Sequence, residues 1–273
     1  MKAGLLLLAL LVSSYAEAAE SPYALTLQLP LYDSAAMKVS GFSPSLMQAH
    51  ALTQDYYLGS HRLIAELFGS ADSDIAHPLE GFALLAFDYV SGVTPLGLSW
   101  LHEEAHRSVL NQYGIRSHNG VYTAILSDNS IPVDDVRDAD LIRLKLDHPA
   151  DFVRLSTAGM EAESQFALNL AKAEFFDRTL PRQRFLILLS HLGPIGYRNF
   201  CDSRSGDQAT REDLKRKGPD ESKRDFTGYD CVSHVYDLFR PEEPYEARGP
   251  HPSAVGIEGL QGYNCRNPPC PML

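Results

Sequence analysis

The sequence predicts a mainly helical α+β domain with a leader before it and an irregular tail after it. Three observations carry this. Apolar residues recur at helical spacing over residues 43–68, 96–113 and 150–177. Short β-like runs flank the turn pair Asn119-Gly120. After Tyr197 the chain becomes polar, then rich in proline and glycine, and holds all four cysteines. The organisation that follows is a signal peptide over 1–19, a main domain over 20–200 and a cysteine-containing extension over 201–273.

The elements follow in order. Met1-Lys2 is a basic start, Leu5 to Val12 an apolar run, and Ala16-Glu17-Ala18 a small-x-small cleavage signal. Together these predict export to a periplasmic or extracellular compartment. Leu25, Leu27, Leu29 and Leu31 alternate as in a half-buried strand, with Pro30 placing it at an edge. Ser43-Pro44 reads as the cap and first turn of a helix reaching Phe68. Residues 81–101 carry a single charge, Asp88. They predict a buried helix, a turn and the start of the next helix, with a segment lying against a membrane as the alternative. Gly114 ends the helix over 96–113. Residues 121–126 and 141–146 read as strands, and 150–177 as one long helix starting at Asp147-His148-Pro149. Pro181 opens an apolar helix to Leu192, residues 202–226 form a polar surface loop, and 232–239 a short amphipathic helix.

Charge and cysteine usage narrow the function. Acids outnumber bases 35 to 24, giving a net charge of −11. A surface that negative repels phosphate backbones, so nucleic acid is not a partner. Cys201, Cys231, Cys265 and Cys270 make an even set in an exported chain. That predicts two bridges, with Cys201–Cys231 and Cys265–Cys270 the most local of three pairings. No C-x-x-C pair supports a four-cysteine zinc site.

The chemistry sits at His102-Glu103-Glu104-Ala105-His106, an H-E-x-x-H on a predicted helix. Residues four apart on a helix differ by about 40°, so His102 and His106 project from one face, one turn apart. Two imidazoles so placed can share one tetrahedral zinc ion, and Glu103 can reach a water there. Leu98, Trp100, Leu101, Ala105 and Val109 make the segment apolar, and buried histidines need partners. Glu103-x-x-His106 also fits a di-iron bundle, which needs a second such motif. None is present, and Asp74-x-x-His77 is the nearest approach.

A third histidine close by is absent, since Val109 and Gln112 stand where the glycine and histidine of an extended motif would be. The third ligand must come from farther along. Glu161 and Glu163 are the candidates. Gly159, Met160, Phe166, Ala167 and Leu170 lie within about 60° of Glu163 round the helix, so Glu163 faces inward. A carboxylate in an apolar stripe needs a cation or a metal. Glu163 is the predicted third ligand and Glu161 the alternative. Candidate donors to a developing oxyanion are His118, Tyr122, His191, Tyr197 and His234.

Over residues 102–170 the sequence resembles the zincin metallopeptidases, and among them the gluzincins. The resemblance implies a zincin-like core, with an active-site helix and a later glutamate-bearing helix. It implies one zinc ion held by His102, His106 and Glu163, and Glu103 acting on water to cleave a peptide or protein substrate. The chain departs from thermolysin-like members in the long gap before the glutamate and in having Met160-Glu161-Ala162 where Asn-Glu would precede small residues. The alternatives are a membrane-embedded zinc peptidase and a non-catalytic exported metal-binding protein.

Overall fold

The computed structural model describes residues 44–69, 76–124, 132–176, 183–201, 220, 222–223 and 230–245. The helices are α1 (Leu46–Gly69), α2 (Ala76–Ser91), α3 (Leu98–Gln112), α4 (Val121–Ala124), α5 (Asp138–Asp147), α6 (Pro149–Leu155), α7 (Ala158–Phe176), α8 (Arg184–Cys201) and α9 (Asp230–Phe239). Two short strands, β1 (His118–Asn119) and β2 (Val133–Asp134), pair antiparallel with His118 opposite Asp134. The described residues are mainly helical with little strand, as the patterning predicts. The leader, the leucine-alternating strand, most of the 202–226 loop, the tail and the cysteine pairings lie outside what is described.

Helix α3 is the centre of the domain, packed by α1, α6 and α7. Trp100, Leu101, Ala105, Val109 and Leu110 are all buried along it. Each large apolar side chain buried fully contributes about 1.5–3 kcal/mol. The polar residues between them are paired rather than wasted. Glu104 is buried against Arg107, and its Oε1 accepts from Asn119 Nδ2 at 2.8 Å. That bond ties α3 to β1. Gly114 follows α3 at φ +67°, the left-handed stop its sequence position predicts.

Several elements differ from the sequence prediction. The cap of α1 is Ser45, not Ser43. Ser45 Oγ accepts from Gln48 N (3.2 Å) and Ser45 N donates to Gln48 Oε1 (2.9 Å), a reciprocal capping box. Asn119-Gly120 is not a two-residue hairpin turn, because a longer connection containing α4 separates β1 from β2. The segment predicted as strand over 121–126 is helical through Ala124. Residues 141–146 are not a strand but lie within α5. Leu141, Leu144 and Lys145 are buried there at i, i+3 and i+4, while Leu146 faces out. The predicted single helix over 150–177 is two, α6 and α7, broken at Ser156-Thr157. Residues 81–101 do form helix, turn and helix start, yet the outer face of α2 is not buried. Phe82 is 69% and Tyr89 74% exposed. Among the described residues no helix is long and apolar enough to cross a membrane.

Candidate metal centre

The H-E-x-x-H helix places His102 and His106 with ring centroids 4.9 Å apart. The helix break after α6 then does chemical work. The last carbonyls of a helix have no partner within it. The N–H groups of Ser156 and Thr157 turn back to Val153 O and Arg154 O, and Leu155 O accepts from His106 Nδ1 at 2.5 Å. A carbonyl can only accept, so Nδ1 carries the proton. In the neutral ring, Nε2 then offers its lone pair to the interior. That atom is buried.

His102 is oriented by α7. Gly159 faces its ring so closely that a Cβ there would lie 2.3 Å from His102 Nε2. Only glycine allows this approach. One turn later, Glu163 Oε1 lies 2.9 Å from His102 Nδ1. A Cβ on Gly193 of α8 would come within 3.2 Å of Glu163 Oε2, so that small residue leaves room for the carboxylate. Glu163 therefore sits on the nitrogen of His102 that points away from His106. This is where metal-binding histidines usually meet a carboxylate that fixes tautomer and orientation.

The acid that meets both Nε2 atoms is Asp230, the first residue of α9. Its Oδ2 lies 2.9 Å from His102 Nε2 and 3.3 Å from His106 Nε2. The donor atoms of His102, His106 and Asp230 all fall within 4.8 Å of one another. Bonds of 2.0–2.1 Å to a tetrahedral ion put neighbouring donors about 3.3 Å apart, so the two measured edges suit one ion. This buried cluster can hold a metal. Glu163 is not part of it. Glu161 is half-exposed, accepts from Thr157 Oγ1 at 2.9 Å and faces Arg154. It lines a groove of about 1000 Å³ between α1 and α7, away from the histidines.

The electrostatics agree with that grouping. Burial alone would lower the His102 pKa, but the hydrogen bonds and charges of Asp230 and Glu163 outweigh it and hold the pKa well above 6.5. His106 is raised in the same way, with burial opposed chiefly by Asp230. Burial would raise Asp230, yet the charge of His106 and the hydrogen bond from His102 hold it well below the usual carboxylate range. Without a metal the three form a buried ionic cluster, and a cation would replace the protons on the two Nε2 atoms.

Of the other predicted residues, Glu103 is half-buried and contributes charge to His106. Among the predicted oxyanion donors, Tyr197 lies against the cluster. Its ring meets His102 edge-on at 5.7 Å, and its hydroxyl accepts from Asp230 N at 3.2 Å. His118 pairs with Asp134 at 2.8 Å, and Tyr122 OH accepts from Trp100 Nε1 at 2.7 Å. His191 is exposed, and His234 faces Val153 O at 3.5 Å.

Asp230 was not among the residues the sequence singles out. It lies 128 residues beyond His102. An acid ahead of an apolar helical run reads as an ordinary helix start. No family model matches the chain, and neither a curated protein nor a solved structure matches it.

Proposed function

We propose that this chain is a zinc-dependent peptidase whose metal is held by His102, His106 and Asp230. The observation that carries the reading is the convergence of two imidazole Nε2 atoms and one buried carboxylate oxygen. Each imidazole has its other nitrogen engaged elsewhere, by Leu155 O or by Glu163. Nitrogen and carboxylate donors in tetrahedral reach of one another suit zinc. Three protein donors among the described residues, rather than four, favour a catalytic site over a structural one.

Zinc bound there supplies Lewis acidity and brings the pKa of water towards about 7. The protein's residues do the rest. Glu103 takes the proton of the attacking water and delivers it to the leaving amine. Asp230, Glu163 and Leu155 O hold the two imidazoles still, which lowers the reorganisation each turnover needs. Tyr197, whose ring lies against His102, would donate to the developing oxyanion.

The test is Glu103→Gln. The variant keeps its zinc and loses about 10²–10⁴-fold in peptide hydrolysis. Full activity in a zinc-loaded Glu103→Gln protein would overturn the mechanism.

A second reading has its own observation. The exposed face of α2 carries Leu79, Phe82, Leu85, Tyr89 and Val90, Val93 is exposed in the turn that follows, and no exposed charge lies between residues 81 and 93. A continuous apolar face with aromatic residues suits the surface of a bilayer. On this reading the same chemistry runs on a membrane surface. Flotation with phosphatidylcholine vesicles tests it: the chain floats, and Phe82→Ser with Tyr89→Ser does not. A chain that stays with the soluble fraction would remove this reading and leave the first intact.

A further inference from the structure

Helix α9 docks in an unusual way. Asp230, Ser233 and Asp237 are its described buried residues, while Leu238 and Phe239 at its end are partly exposed. Seven residues on a helix come round to within about 20°. Asp230 and Asp237 therefore share one face, two turns apart, and that face points into the protein. Burial of a carboxylate opposes docking unless each charge is met. Asp230 meets the two histidines. Asp237 meets Lys145 of α5, with Oδ1 and Nζ 2.8 Å apart and both side chains nearly sealed from solvent. Lys145 Nζ also lies 5.7 Å from the centre of the Phe152 ring on α6, and Tyr245 beyond α9 packs edge-on against the same ring.

We infer that Lys145 is a positioning residue of the metal centre: its pair with Asp237 seats α9 and so sets where Asp230 presents its carboxylate. The inference rests on His102, His106 and Asp230 being the ligands. Its physical basis is leverage along one rigid helix. The N-terminal end of α9 is held by Asp230 on the imidazoles and by its N–H on the Tyr197 hydroxyl. The far end is held by Asp237 on Lys145. Removing the ammonium takes the opposite charge away from a buried carboxylate, and the cheapest relief is for α9 to lift towards water. Asp230 moves with it, because the two carboxylates share a face. A metal site needs its donors within tenths of an ångström, so a small lift at one end weakens binding at the other.

The experiment uses the full chain with Zn²⁺ alone as probe. Affinity is measured by chelator competition on the parent, Lys145→Met, Asp237→Leu and the double variant. Hydrogen exchange over residues 230–239 is followed in excess chelator. Each single variant weakens Zn²⁺ binding at least about tenfold and speeds exchange in α9, because breaking a buried pair strands a charge. The double variant returns to within about threefold of the parent, because an apolar pair of similar volume can replace a buried ion pair. Asp88→Asn serves as the comparison, since it disturbs the buried His61–Asp88 pair between α1 and α2, 2.5 Å long, with no part in the cluster. It leaves Zn²⁺ affinity near the parent's. Parental affinity in Lys145→Met, an equal loss in Asp88→Asn, or a double variant as weak as the singles would overturn the inference. A parent chain that binds no Zn²⁺ would instead overturn the ligand reading itself.

Discussion

The two halves of the candidate centre are built on opposite principles. On the α3–α7 side the histidines are seated by packing. Trp100, Leu101 and Leu110 fix α3 in the core, Gly159 lets α7 close on the His102 ring, and a helix break offers a carbonyl to His106. On the α9 side the carboxylate is seated by charge, with Asp230 and Asp237 buried on one face against histidines and a lysine. Apolar packing is non-directional and holds without a metal. Buried charges hold only while every one is met. The packed half is therefore expected to persist in metal-free protein, and the charged half to depend on its partners.

Three substitutions on α7 sharpen that contrast. Gly159→Ala has the largest effect. Its Cβ would collide with His102 at Nε2, Cδ2 and Cε1, so the ring or the α7 backbone must shift. Overpacking of this kind costs about 1–3 kcal/mol. The expected outcome is a lower Tm and loss of tight metal binding, read by thermal unfolding with and without Zn²⁺. An alanine protein with parental zinc affinity would show that the close approach does not matter. Glu163→Gln comes next. The amide keeps the size of the side chain but removes the charge beside His102 Nδ1, and weakening of about 10–100-fold in metal affinity is expected from losing such a partner. Complete loss of metal would instead make Glu163 a ligand. Glu161→Ala is the smallest. Its half-exposed carboxylate faces Thr157 and Arg154, and stability should change by no more than about 0.5 kcal/mol with zinc affinity intact.

The same contrast explains what the sequence made visible. Packing leaves a periodic trace. The four-residue spacing of His102 and His106, the apolar neighbours of α3 and the inward stripe around Glu163 are all local patterns on one helix. Where two periods fit the same letters, the local pattern misleads. Leu-Ile-Arg-Leu-Lys-Leu over 141–146 alternates like a strand, yet Leu141, Leu144 and Lys145 also match one helix face, and tertiary burial selects the helix. The break between α6 and α7 carries no glycine or proline, and Ser156-Thr157, favoured at helix N-caps but tolerated inside helices, announces it only weakly, although it frees the carbonyl that orients His106. Charge pairing across the chain leaves no periodic trace at all. Asp230 reaches its histidines, and Asp237 reaches Lys145 over 92 positions, only because the fold brings α9 back. Two acids seven apart on a short helix, both facing inward, are the one local hint. That pattern becomes informative only once the face they share is known to be buried.

In the proposed ligand set Asp230, and not Glu163, completes the site. Metal analysis of the purified parent beside Asp230→Ala and Glu163→Ala tests it most directly. One zinc per chain is expected in the parent, none in Asp230→Ala, and zinc still present but more easily removed by chelator in Glu163→Ala. Zinc retained by Asp230→Ala and lost with Glu163→Ala would contradict it.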